Sequence, residues 1–252
     1  MRMLRAEFGY FLGALQFLTR LPIPHLDGFA PEWLDRGVKY FPLAGLLVGA
    51  MCAAVLLAAS TLWTGVLPAL LAVAAGIAAT GAFHEDGFGD FFDAMGGTTP
   101  ESRLAIMKDS RLGAFGVLAL GIGVALKVFA LASVPPIAGA AALIGAHAGG
   151  RFSAIGAMRF LPYAGTMSTA KAKPLATNIT AFGLAIGACF GLLPALLLPV
   201  SAALTATLAG FAAAFFMAWR AKCLLGGFTG DALGAIEQSY EIAFLVAASA
   251  CV

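Results

Sequence analysis

The segment Phe83-His84-Glu85-Asp86-Gly87-Phe88-Gly89-Asp90-Phe91-Phe92-Asp93-Ala94-Met95-Gly96-Gly97 holds the densest chemistry in the chain. Four of the thirteen carboxylates fall within nine residues. Asp86, Asp90 and Asp93 stand at i, i+4 and i+7, so a helix through them places all three on one face. Like charges so arranged repel one another unless a cation neutralises them. Hard oxygen donors of this kind suit Mg²⁺ or Mn²⁺, ions that keep several waters and bind substrate phosphates as well. The competing reading is a solvated acidic cap where an apolar helix leaves the bilayer. Phe88, Phe91, Phe92 and the paired glycines argue against it.

Two further stretches fit the same chemistry. Arg103, Lys108 and Arg111 lie in Glu101-Ser102-Arg103-Leu104-Ala105-Ile106-Met107-Lys108-Asp109-Ser110-Arg111-Leu112-Gly113-Ala114-Phe115-Gly116, with Lys108 and Arg111 three apart and on one face if helical. Cations beside a carboxylate-bound metal are what a pyrophosphate requires for charge neutralisation. The same residues also serve as an ordinary cytoplasmic anchor, and the two roles are compatible. In Gly226-Gly227-Phe228-Thr229-Gly230-Asp231-Ala232-Leu233-Gly234-Ala235 the glycines allow close backbone approach. There Thr229 and Asp231 are placed to touch a ligand or metal, or Asp231 simply N-caps the last helix.

These groups need a scaffold, and the composition specifies its class. Of 252 residues, 61% are hydrophobic and only 11% charged, against about 25% charged in a soluble domain. So little charge cannot cover a water-facing surface, which excludes a soluble globular enzyme. A net charge of +2 provides no basic field for nucleic acid. Apolar runs at 41–62, 66–83, 113–134, 137–160, 178–197 and 200–219 approach the roughly 20 residues needed to span a bilayer. A seventh at 232–252 is weakened by Glu237, Gln238 and Glu241. Residues 5–21 set Phe8, Phe11, Leu12, Leu15 and Leu18 at helical spacing opposite Arg5, Gln16 and Arg20, as in a helix lying in the interface. The expected fold is therefore all-α: a polytopic helical membrane protein of six to seven transmembrane helices plus an N-terminal interfacial helix. It forms a single integral membrane domain over 1–252, with the interfacial helix and cytoplasmic lead-in at 1–40 and a transmembrane bundle with an acidic loop 84–112 at 41–252.

The connections near 61–66, 134–137 and 197–201 carry no charge, whereas Arg36, Lys39, Arg159, Lys171, Lys173, Arg220 and Lys222 mark the others. The positive-inside rule puts the charged loops, and the site with them, in the cytoplasm. Lys127, inside a span, either snorkels outward or pairs within the bundle. His147 reads as a helix–helix hydrogen bonder. The pairs and triplet Gly45/Gly49, Gly145/Gly149 and Gly183/Gly187/Gly191 read as close-packing positions. The four scattered cysteines read as small core hydrophobes.

The chain resembles the cobalamin synthase family, the adenosylcobinamide-GDP ribazoletransferases. The likeness rests on Phe17-Leu18-Thr19-Arg20-Leu21-Pro22, Phe41-Pro42-Leu43-Ala44-Gly45, an HxDGxxDxxD signature from His84 to Asp93, and Met107 to Gly116. Leu161-Pro162-Tyr163-Ala164 and Gly227-Phe228-Thr229-Gly230-Asp231 complete it. Phe91-Phe92 is bulkier than the family pattern leads one to expect. The resemblance implies a Mg²⁺-dependent enzyme of the bacterial inner membrane. It would join adenosylcobinamide-GDP to α-ribazole or its 5′-phosphate, forming adenosylcobalamin or its 5′-phosphate and releasing GMP. Asp86, Asp90 and Asp93 would hold the Mg²⁺, with Glu85 assisting or acting as base. Arg20, His84, Lys108, Asp109, Arg111, Thr229 and Asp231 would contact the substrates. The lipid bilayer is a further partner, nucleic acid is not, and a homo-oligomer is compatible with the pattern.

Two rival readings differ in kind. A CDP-alcohol phosphotransferase also uses aspartates at helical spacing, but its Asp-Gly pair is followed two residues later by Ala-Arg, where this chain has Asp90. An ion-coupled transporter carries carboxylates inside its bundle, yet here the charges gather at one membrane face.

Overall fold

Within hydrocarbon a backbone satisfies its own amides only as a helix or a closed barrel, and the apolar runs of this chain fold as helices. The structure, a computed structural model, describes residues 2–23, 35–165 and 179–252; Lys171 and Lys173 lie outside them. In chain order the helices are α1 (Arg2–Leu18), α2 (Phe41–Ser60, entered through a 3-10 turn at Val38–Tyr40), α3 (Leu67–Thr80), α4 (Phe83–Ala94) and α5 (Pro100–Met107). They continue as α6 (Ala114–Ala132), α7 (Pro136–Phe160), α8 (Ala181–Leu192, extended by a 3-10 turn Leu193–Leu197), α9 (Val200–Leu225) and α10 (Gly230–Ser249). Proline sits in the first turn of α2, α3, α5 and α7, where its missing N–H costs no helical bond. Among the described residues there is no strand, only an isolated parallel bridge between Tyr163 and Phe228.

Three helical segments, Asp35–Ser60, Ala114–Ala132 and Val200–Leu225, are long and apolar enough to cross a membrane, and α3 with α4 make a fourth if that bent pair counts as one span. Helices α7 and α10 are long as well, at 25 and 20 residues, but they carry Arg151 and Glu237 with Glu241, which lower their mean hydropathy. The apolar run at 178–197 is a shorter helix, Ala181–Leu197.

The weakest of the expected spans turns out to be central. From Ala232 to Glu241 every residue of α10 is buried, with α4, α7 and α9 packed around it. On the other side α2 lies along α7. A Cβ at Gly49 would stand 2.8 Å from the Ile144 Cα, and one at Gly45 would collide with the His147 carbonyl. Only glycine lets the two backbones meet so closely. Gly145 and Gly149 make room instead for the rings of Phe244 and Tyr240. Of the cysteines only Cys52 is buried; Cys189, Cys223 and Cys251 are exposed, so the expectation of core packing holds for one of four.

Helix α1 lies against α2 with Tyr10, Ala14, Leu15 and Leu18 buried and Leu4 and Phe8 exposed. Glu7 fastens it, accepting from Lys39 Nζ at 2.7 Å and from the Tyr40 hydroxyl at 2.7 Å.

The expected acidic loop is a pair of helices. Helix α4 turns 91° from α3 at Gly81 (φ 65°) and Ala82 (φ 59°). Glycine adopts that conformation freely; alanine pays about 1–2 kcal/mol for it. Local propensity argues against α4, since it holds two glycines and three like charges at helical spacing. Its inward face of His84, Gly87, Phe88, Phe91 and Ala94 is buried, and this tertiary packing overrides propensity. After the turn at Gly96 and Gly97, α5 starts with a capping box between Thr99 and Ser102.

Candidate active site

Every stretch singled out from the sequence converges on α4. Phe17 stacks on Phe41 with ring centroids 5.8 Å apart and meets Phe83 edge-on at 5.4 Å, which joins the first two motifs to the start of the acidic helix. The backbone N–H of Arg20 donates to the Ala79 carbonyl at 2.7 Å. The Arg20 side chain lies over Gly81, where an added Cβ would meet its Nε at 2.6 Å. Arg20 is thus placed at the bend from which the acid stripe starts.

At the far end of α4, Asp93 caps α6. Its carboxylate accepts from the Gly113 N–H at 2.7 Å and from the Gly116 N–H at 2.8 Å. Charge-assisted acceptance at a helix N-terminus is strong, and it ties the Lys108–Gly116 stretch to the stripe. Lys108 is the C-cap of α5 and is exposed. Arg111 lies beyond that helix, so the two cations do not share a helical face as expected from their spacing. Arg111 instead forks onto Asp109, with its Nη2 2.6 Å from Oδ2, and these hydrogen bonds bring the Asp109 carboxyl down to about 2. Arg103 reaches the Leu224 carbonyl at 3.2 Å, linking α5 to α9.

The C-terminal motif arrives through a backbone crossing. A Cβ at Gly87 would stand 2.8 Å from the Asp231 Cα, and one at Gly234 2.9 Å from the His84 carbonyl oxygen. Helices α4 and α10 therefore touch main chain to main chain, and Asp231, in the first turn of α10, lies against Gly87. The cap of α10 is Thr229, whose hydroxyl accepts from the Ala232 N–H at 3.1 Å; it is not Asp231. Phe228 donates to the Pro162 carbonyl and accepts from the Ala164 N–H, each at 2.9 Å, so the Leu161–Ala164 motif is carried to the same place. Gly87→Ala is expected to force the helices apart, costing about 1–3 kcal/mol of stability and most of the activity. Chemical denaturation in detergent read beside turnover checks both effects.

The described carboxylates suit a hard cation in part. Asp86 is exposed, with no side-chain hydrogen bond or ion pair to any described residue. Glu85 is half-buried with its Oε2 shielded from solvent and without a hydrogen-bond partner. Asp90 and Asp231 are half-buried. Oxygen donors of this set fit Mg²⁺. Asp93 has both oxygens engaged by α6, so its part in a ligand set is limited to its remaining lone pairs. The stripe is not drawn tightly together: among the described residues, only His147, Glu237 and Glu241 form a group of three whose ligand atoms all lie within 4.8 Å.

That group belongs to a buried network invisible in sequence motifs. Lys127 Nζ lies 2.6 Å from both Glu241 Oε2 and Gln238 Oε1. Arg151 contacts Glu237 and Glu241, and its Nη1 lies 2.9 Å from His147 Nδ1. His147 Nδ1 is also 2.6 Å from Glu241 Oε1, and Arg151 Nη2 stands 3.4 Å from His84 Nδ1. His84 is thus directed into the bundle, buried away from the exposed side of the stripe. Lys127 pairs inside and does not snorkel, and His147 bonds between helices as expected. Arg151, Glu237, Gln238 and Glu241 were not among the site residues read from sequence. The available signal was two intramembrane cations facing two carboxylates in otherwise apolar helices.

Comparison with known proteins identifies the family. Residues 10–249 match the family model for cobalamin-5-phosphate synthase. The adenosylcobinamide-GDP ribazoletransferase of Leptothrix cholodnii is 40% identical over 94% of this chain and 93% of its own. Those of Shewanella frigidimarina and Ralstonia nicotianae are 36% and 38% identical, covering 94% and 92% of this chain and 92% and 91% of theirs. No solved structure matches. A helical membrane scaffold, motifs gathered on one acidic helix and a match nearly end to end lead to one conclusion: this chain belongs to the cobalamin-5-phosphate synthase family.

Proposed function

We propose that the chain joins adenosylcobinamide-GDP to α-ribazole or its 5′-phosphate, forming adenosylcobalamin or its 5′-phosphate with release of GMP. The reaction takes place on the face built by α4 and the start of α10, at the cytoplasmic side of the bacterial inner membrane. The observation that carries this reading is the main-chain crossing of α4 and α10 at Gly87, where an added Cβ would stand 2.8 Å from the Asp231 Cα, in a chain of this family.

A ribose hydroxyl of the ribazole attacks the phosphorus on the cobinamide side. A new phosphorus–oxygen bond forms, the pyrophosphate bridge breaks, and the bridging oxygen leaves with GMP. Positioning and charge neutralisation carry most of such a step. Asp86, Asp90, Asp231 and Glu85 are the groups that would hold Mg²⁺, with Asp93 flanking them. When bound, the ion neutralises the pyrophosphate oxygens. Glu85 either completes that set or takes the proton of the attacking hydroxyl. Lys108, Arg111 and Arg20 offer cations to the phosphates. Arg111 is exposed in its pair with Asp109, and ion pairs at the surface are weak enough for a phosphate to displace. Thr229 keeps its hydroxyl hydrogen available while its oxygen caps α10.

The test uses purified protein in lipid with Mg²⁺ and α-ribazole, offered guanosine-activated cobinamide and cytidine-activated alcohols in parallel. GMP with a corrinoid product is expected. CMP alone, or cation flux through substrate-free proteoliposomes that depends on the aspartates, would replace this reading with one of its rivals.

A further inference from the structure

Gln238 joins the buried network to the acidic helix. It lies on α10, 4% exposed, between Lys127 of α6 and Glu85 of α4. Lys127 Nζ has hydrogens to donate and no lone pair to accept with, so the Gln238 Oε1 at 2.6 Å is required to face it. That choice turns the Gln238 amide nitrogen the other way, toward Glu85 Oε1 at 3.2 Å and Glu237 Oε2 at 2.9 Å. Both amide hydrogens are thereby committed. Lys127 is held in turn by Glu241 at 2.6 Å. The orientation of Gln238 is therefore set by a buried charge, and Glu85 receives a donor whose direction cannot reverse.

Glu85 belongs to both the network and the acidic segment. Its Oε1 is taken by Gln238, while its Oε2 is buried and has no partner. A carboxylate with one oxygen pinned and the other unpartnered has a defined direction for its free lone pairs. We infer that Gln238, oriented by Lys127, is a positioning residue that aims the free oxygen of Glu85 at the reacting groups. This rests on the reading of Glu85 in the site above. Removing a partner that orients an active group in this way commonly costs about 10–100-fold in activity.

The experiment is a double-mutant cycle in lipid nanodiscs, combining Gln238→Leu with Glu85→Gln. Turnover, KM and equilibrium binding of adenosylcobinamide-GDP are measured for each protein. Gln238→Asn, which keeps the amide but shortens its reach, carries the same test if the leucine variant fails to fold. The expected result is a kcat lowered about 10–100-fold with substrate affinity unchanged, and no additional loss when Glu85 is already glutamine. If Gln238 variants keep wild-type kcat, lose binding along with it, or lose the same factor in both backgrounds, positioning is refuted and the role of Glu85 stands. If Glu85→Gln itself turns over normally, the reading of Glu85 falls and the inference falls with it.

Discussion

Asp86→Ala is expected to lower GMP release about 10²–10³-fold, the scale seen when one electrostatic contact to a charge-developing transition state is removed. The same substitution is expected to leave stability within about 0.5 kcal/mol, as for surface changes remote from structural contacts. The separation follows from geometry. Asp86 is exposed on α4, and no hydrogen bond or ion pair holds its side chain to a described residue. Asp93→Ala is the informative contrast. Its two oxygens accept from Gly113 and Gly116, so its loss uncaps α6 and costs about 1–2 kcal/mol. Assays of both variants across a Mg²⁺ titration, with denaturation curves alongside, resolve the two roles. Wild-type turnover and Mg²⁺ dependence in Asp86→Ala would remove it from the site.

Arg151→Met carries the largest expected effect on stability. The guanidinium is 2% exposed and touches Glu237, Glu241 and His147. Without it, Glu237 and Glu241 lose the cation they share, and breaking such a buried set by removing one partner costs about 3–5 kcal/mol. Adding Glu237→Gln to Arg151→Met is expected to recover a substantial part of that loss, because the pair of changes removes one charge of each sign. Equilibrium unfolding in mixed micelles measures both proteins. A double variant no more stable than the single one would show that the guanidinium matters for its volume and not for its charge.

Much of the fold was legible from local pattern. Apolar runs marked α2, α6, α7 and α9 because helical hydrogen bonding is the available way to bury a backbone in lipid. Spacing of four and three placed Asp86, Asp90 and Asp93 on one stripe of α4. Proline in a first turn and Thr229 three residues before Ala232 are local signals of the same kind, although Thr229 was read there as a ligand contact and Asp231 as the alternative cap. The acidic segment looked like a loop because glycine and like charge disfavour a helix, and only its buried aromatic face shows why one forms.

What the sequence by itself determined was the class of protein and the gathering of its carboxylates and cations into a few short stretches, both consequences of composition and of periods shorter than two helical turns. The tertiary structure decided the 91° bend that lays the acidic helix across the bundle, the approach of Asp231 through Gly87, and the pairing of Lys127 with Glu241 and of Gln238 with Glu85. Those pairs are separated by 114 and 153 residues. Periodicity states which side of a helix a charge occupies, but a buried charge takes its partner from whatever packing brings within 3 Å or so. That choice belongs to the assembled bundle.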